Sequence, residues 1–229
     1  MRIGIVCYPT YGGSGVVATE LGLALAAKGH QIHFITYKRP VRLTHYQENV
    51  FFHEVNTEEY PLFDYTPYDT TLTSKLVDVV KYEKLDLLHV HYAIPHATVA
   101  YLAKQILADE GIYIPVVTTL HGTDITLVGS DRSFAPVVAF SINQSDGVTA
   151  VSNHLRHQTC EQLKIKKEIE VIYNFIDFAR FSRLNKEHFR KAIAPDGEKI
   201  LVHISNFRKV KRIEDAIKTF EIVQKKVTS

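Results

Sequence analysis

Five short segments carry most of the side chains able to do chemistry, and each follows an apolar run. The first is Gly12-Gly13-Ser14-Gly15-Val16-Val17-Ala18. Its glycines let a backbone approach a ligand closely, and a helix starting there offers free N–H groups to an anion. The second, His89-Val90-His91-Tyr92-Ala93-Ile94-Pro95-His96, puts two imidazoles on one face of a strand and a phenol just past its end. The third is Thr118-Thr119-Leu120-His121-Gly122-Thr123-Asp124. Small hydroxyls, an imidazole and a carboxylate meet there around a glycine. His121 reads as a general base or as a hydrogen-bonding partner of a sugar. Asp124 reads as the group that orients it or as the cap of the next helix. The fourth, Tyr173-Asn174-Phe175-Ile176-Asp177, offers the Asn174 amide, both donor and acceptor, suited to sugar hydroxyls or to a hinge. The fifth, His203-Ile204-Ser205-Asn206-Phe207-Arg208-Lys209-Val210-Lys211-Arg212, runs into a helix near Ile213. Cations beside a helix N-terminus favour an anion, and a phosphate is the expected ligand.

Two other uses of these residues stay open. Gly13 to Ala18 fits the G-x-G-x-x-A spacing of dinucleotide sites, but four residues separate Cys7 from Gly12. The next apolar run ends Thr36-Tyr37-Lys38-Arg39, with no acid for a ribose diol, although Lys38 and Arg39 suit a 2′-phosphate. His89 and His91, with His96 or His121, hold the donor atoms of a zinc site. No cysteine joins them and no H-E-x-x-H spacing occurs, so buried, hydrogen-bonded histidines are the better account.

These segments need elements to position them. Ile3 to Cys7, Ile32 to Tyr37, Val50 to Val55, Leu87 to His91, Val116 to Leu120, Gly147 to Val151 and Ile169 to Tyr173 read as strands. Val17, Leu21, Ala24 and Leu25 have helical spacing, with Gly29 placed as a C-terminal cap. Leu72, Leu76, Val79 and Val80 repeat that spacing, and Pro95 to Leu107 reads as a helix. Alternation of this kind predicts an α/β fold, a Rossmann-like doubly wound parallel sheet covered on both faces. In such sheets ligands bind beyond the carboxyl ends of the strands, where all five segments fall.

Residues 1–175 read as one domain and the polar stretch 176–198, with Pro195-Asp196-Gly197, as a linker. Residues 199–229 read as the start of a second domain: a strand from Lys199 to Ser205, then a helix marked by Ile213, Ile217 and Phe220. One strand and one helix are too little to bury a core.

The 229 residues are 45% hydrophobic and 23% charged, which excludes a disordered chain, a collagen and a coiled coil. No apolar run approaches the ~18 residues of a membrane span, and the N-terminus does not read as a signal peptide. Cys7 and Cys160 cannot build a disulfide framework, so a cytoplasmic setting is expected. A net charge of +2 gives no general pull toward nucleic acid or anionic lipid. Oligomeric state is left open, a homo-oligomer included.

Taken together, the glycine segment, His121-Gly122-Thr123-Asp124, Tyr173 to Asp177 and Ser205 to Arg212 resemble the retaining glycosyltransferases of family 4, which have the GT-B fold. Cys7-Tyr8-Pro9, Leu88 to Ala97 and Thr118 to Thr126 resemble the branch that opens bacillithiol biosynthesis. The resemblance implies transfer of N-acetylglucosamine from UDP-GlcNAc to the hydroxyl of L-malate, with retention and no metal. It implies an acceptor-binding N-terminal domain and a nucleotide-sugar-binding C-terminal one. Carried over by position, Gly13, Ser14, Arg208 and Lys211 would bind the donor diphosphate. His121 would meet the donor sugar near its anomeric carbon, acting with Arg208 and Lys211 in catalysis. Ser14, Tyr92, Thr119, Asn174 and Asn206 would face the acceptor. The family also uses a spaced pair of glutamates in its second domain, and this sequence ends before any such segment. Little or no activity is therefore expected of these residues alone. The competing readings are a family member with a lipid or polysaccharide acceptor, and a non-catalytic module that holds a nucleotide or anion.

Overall fold

The computed structural model describes residues 1–57, 67–129, 131–205 and 207–227. Asn206, one of the expected acceptor-side residues, lies outside the described residues. The chain divides into two compact units, Met1–Phe175 and Ile176–Ser229.

The first unit is a seven-stranded parallel sheet among the described residues. Its strands are β1 (Arg2–Val6), β2 (Gln31–Thr36), β3 (Val50–Glu54), β4 (Leu87–His91), β5 (Val116–Leu120), β6 (Gly147–Ala150) and β7 (Glu170–Val171), in the order β3-β2-β1-β4-β5-β6-β7. The strand order reverses between β1 and β4, so the loops leaving these two strands sit side by side. Five helices accompany it among the described residues: α1 (Gly13–Ala27), α2 (Tyr68–Glu83), α3 (Thr98–Asp109), α4 (Ala135–Gln144) and α5 (Asn153–Gln162). The fold is the doubly wound α/β sheet expected from the alternating runs.

The apolar runs become strands because both of their faces are needed. Ile5, Ile32 and Phe34 pack with Ala18 of α1 on one face. Val6, Ile35, Leu88 and Val90 pack on the other with Leu72 and Leu76 of α2 and Ala100 and Leu107 of α3. Each buried Leu, Ile or Phe contributes roughly 1.5–3 kcal/mol, and these contacts make the sheet a rigid platform. Asp146 fastens α3 to the sheet: its carboxylate accepts from Lys104 Nζ at 2.6 Å and from the Val116 N–H at 2.7 Å.

Several strand ends shift by one or two residues from expectation, and two elements depart further. Helix α3 starts at Thr98 rather than at Pro95, after a wide turn over Ala93–Ala97 in which Ile94 is extended (φ −134°, ψ 134°). A residue before proline is pushed out of helical conformation by the ring, so Ile94 cannot begin a helix. The run from Lys199 to Ser205 is not a strand, since a strand needs a ladder and the run has no strand partner among the described residues.

The second unit holds α6 (Glu187–Ile193) and α7 (Ile213–Val227). Most of its apolar side chains stay in solvent: Val202 is 72% exposed and Ile217 64%, whereas Ala194 is buried. No helix among the described residues is long and apolar enough to cross a membrane.

Candidate functional site

The exits of β4 and β5 meet, and the sequence-predicted residues of both come together there. His91 pairs with Thr119 across β4 and β5, and Thr119 with Thr149 across β5 and β6, so the three stand in one row on one face. Thr119 is buried, and its hydroxyl is shared by His89 Nε2 at 2.7 Å and Thr149 Oγ1 at 2.8 Å. It therefore belongs to the hydrogen-bonded floor under the strand ends.

Four imidazoles continue that floor. His96 Nδ1–H donates to the His91 carbonyl, 2.5 Å away. His91 Nδ1 lies 2.8 Å from His121 Nε2, and the His91 ring stacks on those of His89 and His121. Burial holds His89, His96 and His121 at a pKa of about 4 and keeps that of His91 well below its ordinary value. A buried charge loses its hydration, and each neighbouring imidazole opposes a second one. All four are neutral at neutral pH. His121 is then a weak base, better suited to hydrogen bonding than to proton abstraction.

The hydrogen bonds also settle which nitrogen of His121 carries its proton. His91 Nε2 is buried and has no hydrogen-bond partner among the described residues. Were His121 to donate to His91 Nδ1, the proton of His91 would sit on that buried Nε2 as an orphaned donor. If His91 Nδ1–H donates instead, only a bare acceptor is left over, at lower cost. His121 then accepts at Nε2 and keeps an N–H at Nδ1 for a ligand oxygen.

Asp124 resolves into a role that links the two exits. It is 1% exposed, and its carboxylate accepts from the Gly122 N–H at 2.9 Å, the Ala93 N–H at 3.1 Å and the His121 N–H at 3.3 Å. Burial raises its pKa and these bonds pull it back. Asp124 thus orients His121 through the backbone, and it ties the loop after β5 to the loop after β4. Gly122 has φ +114°, a conformation that side-chain-bearing residues rarely adopt, and it lets this loop turn back on the carboxylate.

Tyr92 sits at the same mouth with φ +88°, a strained conformation for a tyrosine, worth about 1–3 kcal/mol. It is held there by its N–H donating to the Thr119 carbonyl at 3.0 Å. Its ring lies 5.5 Å from that of His121 and edge-on to Tyr8 at 5.4 Å. Strain of this kind gathers at functional sites because the surroundings must impose it. Tyr8, from the neighbouring β1 exit, also packs on His96 at 4.6 Å. Burial, with Tyr92 beside it, raises its phenol to about 12.

The β1 exit leads into α1. Gly12 caps that helix with no side-chain hydrogen bond, and its first turn holds no acid. The first N–H groups, those of Gly13, Ser14 and Gly15, are the ones a helix leaves for an anion. Ser14 is buried. The glycines differ: a Cβ on Gly15 would lie 2.3 Å from the Tyr8 carbonyl oxygen, whereas one on Gly13 would meet nothing within 4 Å. Packing explains Gly15 and not Gly13. Asn174 follows β7 at the sheet's edge and is exposed.

In the second unit, Arg208 precedes a short turn, Lys209–Lys211, closed by the Lys211 N–H on the Arg208 carbonyl at 2.8 Å. Arg212 Nε is paired with Asp215. Among the described residues Arg208 and Lys211 have no carboxylate partner, so their charges are unspent. A concavity of about 520 Å³ is lined here by residues including Phe207, Arg208 and Arg212.

A comparison with protein families matches residues 11–180 to Glycosyltransferase Family 4. The chain belongs to that family. It is 52% identical over 221 residues, 96% of its length, to N-acetyl-alpha-D-glucosaminyl L-malate synthase of Bacillus anthracis. It is 27% identical over 75% of its length to an uncharacterised glycosyltransferase of Methanocaldococcus jannaschii. It spans 57% and 45% of those two relatives. Among solved structures, sucrose-phosphate synthase from Thermosynechococcus elongatus aligns over 85% of this chain and 53% of its own (TM-score 0.63, 14% identity). A glycosyltransferase from Rickettsia africae aligns over 83% and 48% (TM-score 0.62, 22% identity). These two share the fold.

Within this family-4 chain, two residues have contacts at the site that their motifs do not disclose. His91 is the buried, hydrogen-bonded histidine that the sequence favours over a zinc ligand, and the structure adds its contact with His121. Tyr8, named in the sequence only within Cys7-Tyr8-Pro9 and given no role there, packs on Tyr92 and His96, as an aromatic immediately after a buried strand falls at the carboxyl edge where ligands bind.

Proposed function

We propose that this chain serves a retaining transfer of N-acetylglucosamine from UDP-GlcNAc to the hydroxyl of L-malate, the opening step of bacillithiol biosynthesis. The observation that carries the reading is the 52% identity, along 96% of the chain, to an enzyme named for that product. The site chemistry supports it. A neutral N–H on His121 suits an oxygen of the donor sugar, and the Tyr92 phenol suits an acceptor carboxylate. Ser14 and Asn174 are proposed to contribute on the acceptor side, over the floor that Thr119 helps build, with Asn206 assigned there by resemblance alone. The α1 N-terminus at Gly13 and Ser14 is proposed to hold the donor diphosphate, with Arg208 and Lys211 assigned to it by resemblance alone.

The proposed step is a same-face displacement. The anomeric C–O bond to UDP breaks as the malate oxygen bonds to the same face of that carbon. The malate hydroxyl proton passes to an oxygen of the leaving phosphate. Arg208 and Lys211 offset the charge that grows on UDP, the task a bound metal would otherwise perform. The setting is proposed to be the cytoplasm, where the free Cys7 and Cys160 stay reduced.

The test is UDP release with both substrates. A chimera carrying the remaining C-terminal part of the Bacillus anthracis relative should turn over with L-malate, and the 229-residue chain alone should show little or no turnover. Release that does not depend on malate, or a preference for a lipid or polysaccharide acceptor, overturns the acceptor assignment. Binding of UDP-GlcNAc with no product from the chimera would make the protein a binding module. Robust turnover by the 229 residues alone would show that no further segment is needed.

A further inference from the structure

On the sheet edge away from the β4 and β5 exits, two histidines face each other. His33 lies in β2 and His53 in β3, twenty positions apart in sequence, and strand pairing puts His33 opposite Phe51 and His53 opposite Ile35. Both therefore look toward the face covered by α2, where Ile35 and Val55 join the apolar core. His33 Nδ1 is 2.9 Å from His53 Nε2, with the rings stacked at 5.2 Å and Phe51 stacked on His33 at 4.7 Å. Glu83, the last residue of α2, completes the group: one donor atom from each of the three residues falls within 4.8 Å of the others.

We propose that His33, His53 and Glu83 form a binding site for a divalent transition-metal ion of the zinc class. The donor set decides the class. Two imidazoles and one carboxylate suit zinc, and also cobalt, nickel and copper, whereas magnesium and calcium prefer all-oxygen shells. Three protein ligands leave a fourth position for water. Two nitrogens bound to one tetrahedral zinc stand roughly 3.3 Å apart, given Zn–N bonds of about 2.0–2.1 Å. The observed pair needs to open by only a few tenths of an ångström.

The pair is polar surface placed in the core: His33 is 1% exposed, and its ring nitrogen Nδ1 meets His53. Apolar residues at 33 and 53 would extend the core beside Ile35 at less expense, so packing does not account for the pair. Two cations limit the affinity. Lys75 acts electrostatically against a charge on His53, and Arg2, whose Nη1 donates to the Glu83 carbonyl, against one on His33. A bound ion would tie the β2–β3 edge to the end of α2. The site stands two and three strands from β4 and is independent of the transferase reading.

The experiment is titration of zinc alone into the metal-stripped 229-residue chain against a chromophoric chelator, repeated with cobalt by visible absorption. One equivalent is expected, with the intense visible bands of tetrahedral cobalt and a thermal midpoint that rises with zinc. His53→Asn and Glu83→Gln, each verified as folded by circular dichroism, should each weaken binding at least tenfold and remove the thermal shift. The double variant His154→Ala/His157→Ala, on exposed positions of α5, should leave binding unchanged. Absence of a stoichiometric equivalent overturns the proposal, as does affinity that survives His53→Asn and Glu83→Gln or is lost in the α5 variant. Should one of the two site variants fail to fold, the other decides.

Discussion

His91 Nδ1 lies 2.8 Å from His121 Nε2, and this contact fixes the proton of His121 on its other nitrogen. Nitrogen-15 long-range correlation spectra at neutral pH should show His121 protonated at Nδ1 and bare at Nε2. His91→Leu removes the donor and should release His121 into a mixture of both tautomers. His91→Gln can still donate through its amide and should preserve the Nδ1 form. A His121 protonated at Nε2 in the unaltered chain would refute the assignment.

The same neutral cluster makes stability depend on pH. His89, His96 and His121 have folded pKa values of about 4, against about 6.5 in an unfolded chain. Between these values the unfolded state binds protons that the folded state refuses. The full stability is present above pH 6.5 and is lost as pH falls toward 4. Each of these histidines steepens the fall by up to ~1.4 kcal/mol per pH unit. The urea midpoint should therefore decline steadily from pH 7 to pH 5. A midpoint that holds across that window would mean the imidazoles are hydrated.

How much of this could be read from the residues alone depends on distance along the chain. The β4 and β5 exits were legible because a buried parallel strand is an apolar run, and because its exit must carry any ligand chemistry. Gly122 and Asp124 were legible as a pair, but not in their roles. A carboxylate three residues beyond an imidazole can orient the ring, cap a helix or bind the backbone, and only the fold shows it reaching across to Ala93. The His33–His53 contact left no local signal, since twenty intervening residues hide a pairing that the register of β2 and β3 creates. The run from Lys199 to Ser205 misled for the opposite reason: its composition is that of a strand, but pairing is a property of partners.

Asp124 is the brace between the two exits, so it should be expensive to alter. Asp124→Asn keeps the shape but replaces one carboxylate oxygen with an NH₂ group that confronts backbone N–H groups of Ala93, Gly122 or His121. Hydrogen bonds to a charged acceptor contribute about 1.5–3 kcal/mol, and an orphaned buried donor costs about 1–3 kcal/mol. Denaturant unfolding should show a loss of roughly 2–3 kcal/mol. Wild-type stability in this variant would mean that the loop after β5 holds its shape unaided.

The glycines at the head of α1 separate a packing role from a ligand role. Gly15→Ala puts a methyl 2.3 Å from the Tyr8 carbonyl oxygen and 2.7 Å from that of Thr10, backbone atoms that cannot move aside cheaply. A loss of about 1–3 kcal/mol is expected, as for other overpacked sites. Gly13→Ala meets nothing within 4 Å, so its stability should change by less than ~0.5 kcal/mol. If Gly13 is a glycine so that a diphosphate can approach the backbone, the alanine should still weaken UDP-GlcNAc binding by roughly tenfold, equivalent to ~1.4 kcal/mol. Thermal unfolding and calorimetric titration of the two variants side by side test this. Equal destabilisation by both substitutions would make the whole segment a packing feature. Unchanged binding in a stable Gly13→Ala variant would remove Gly13 from the donor site.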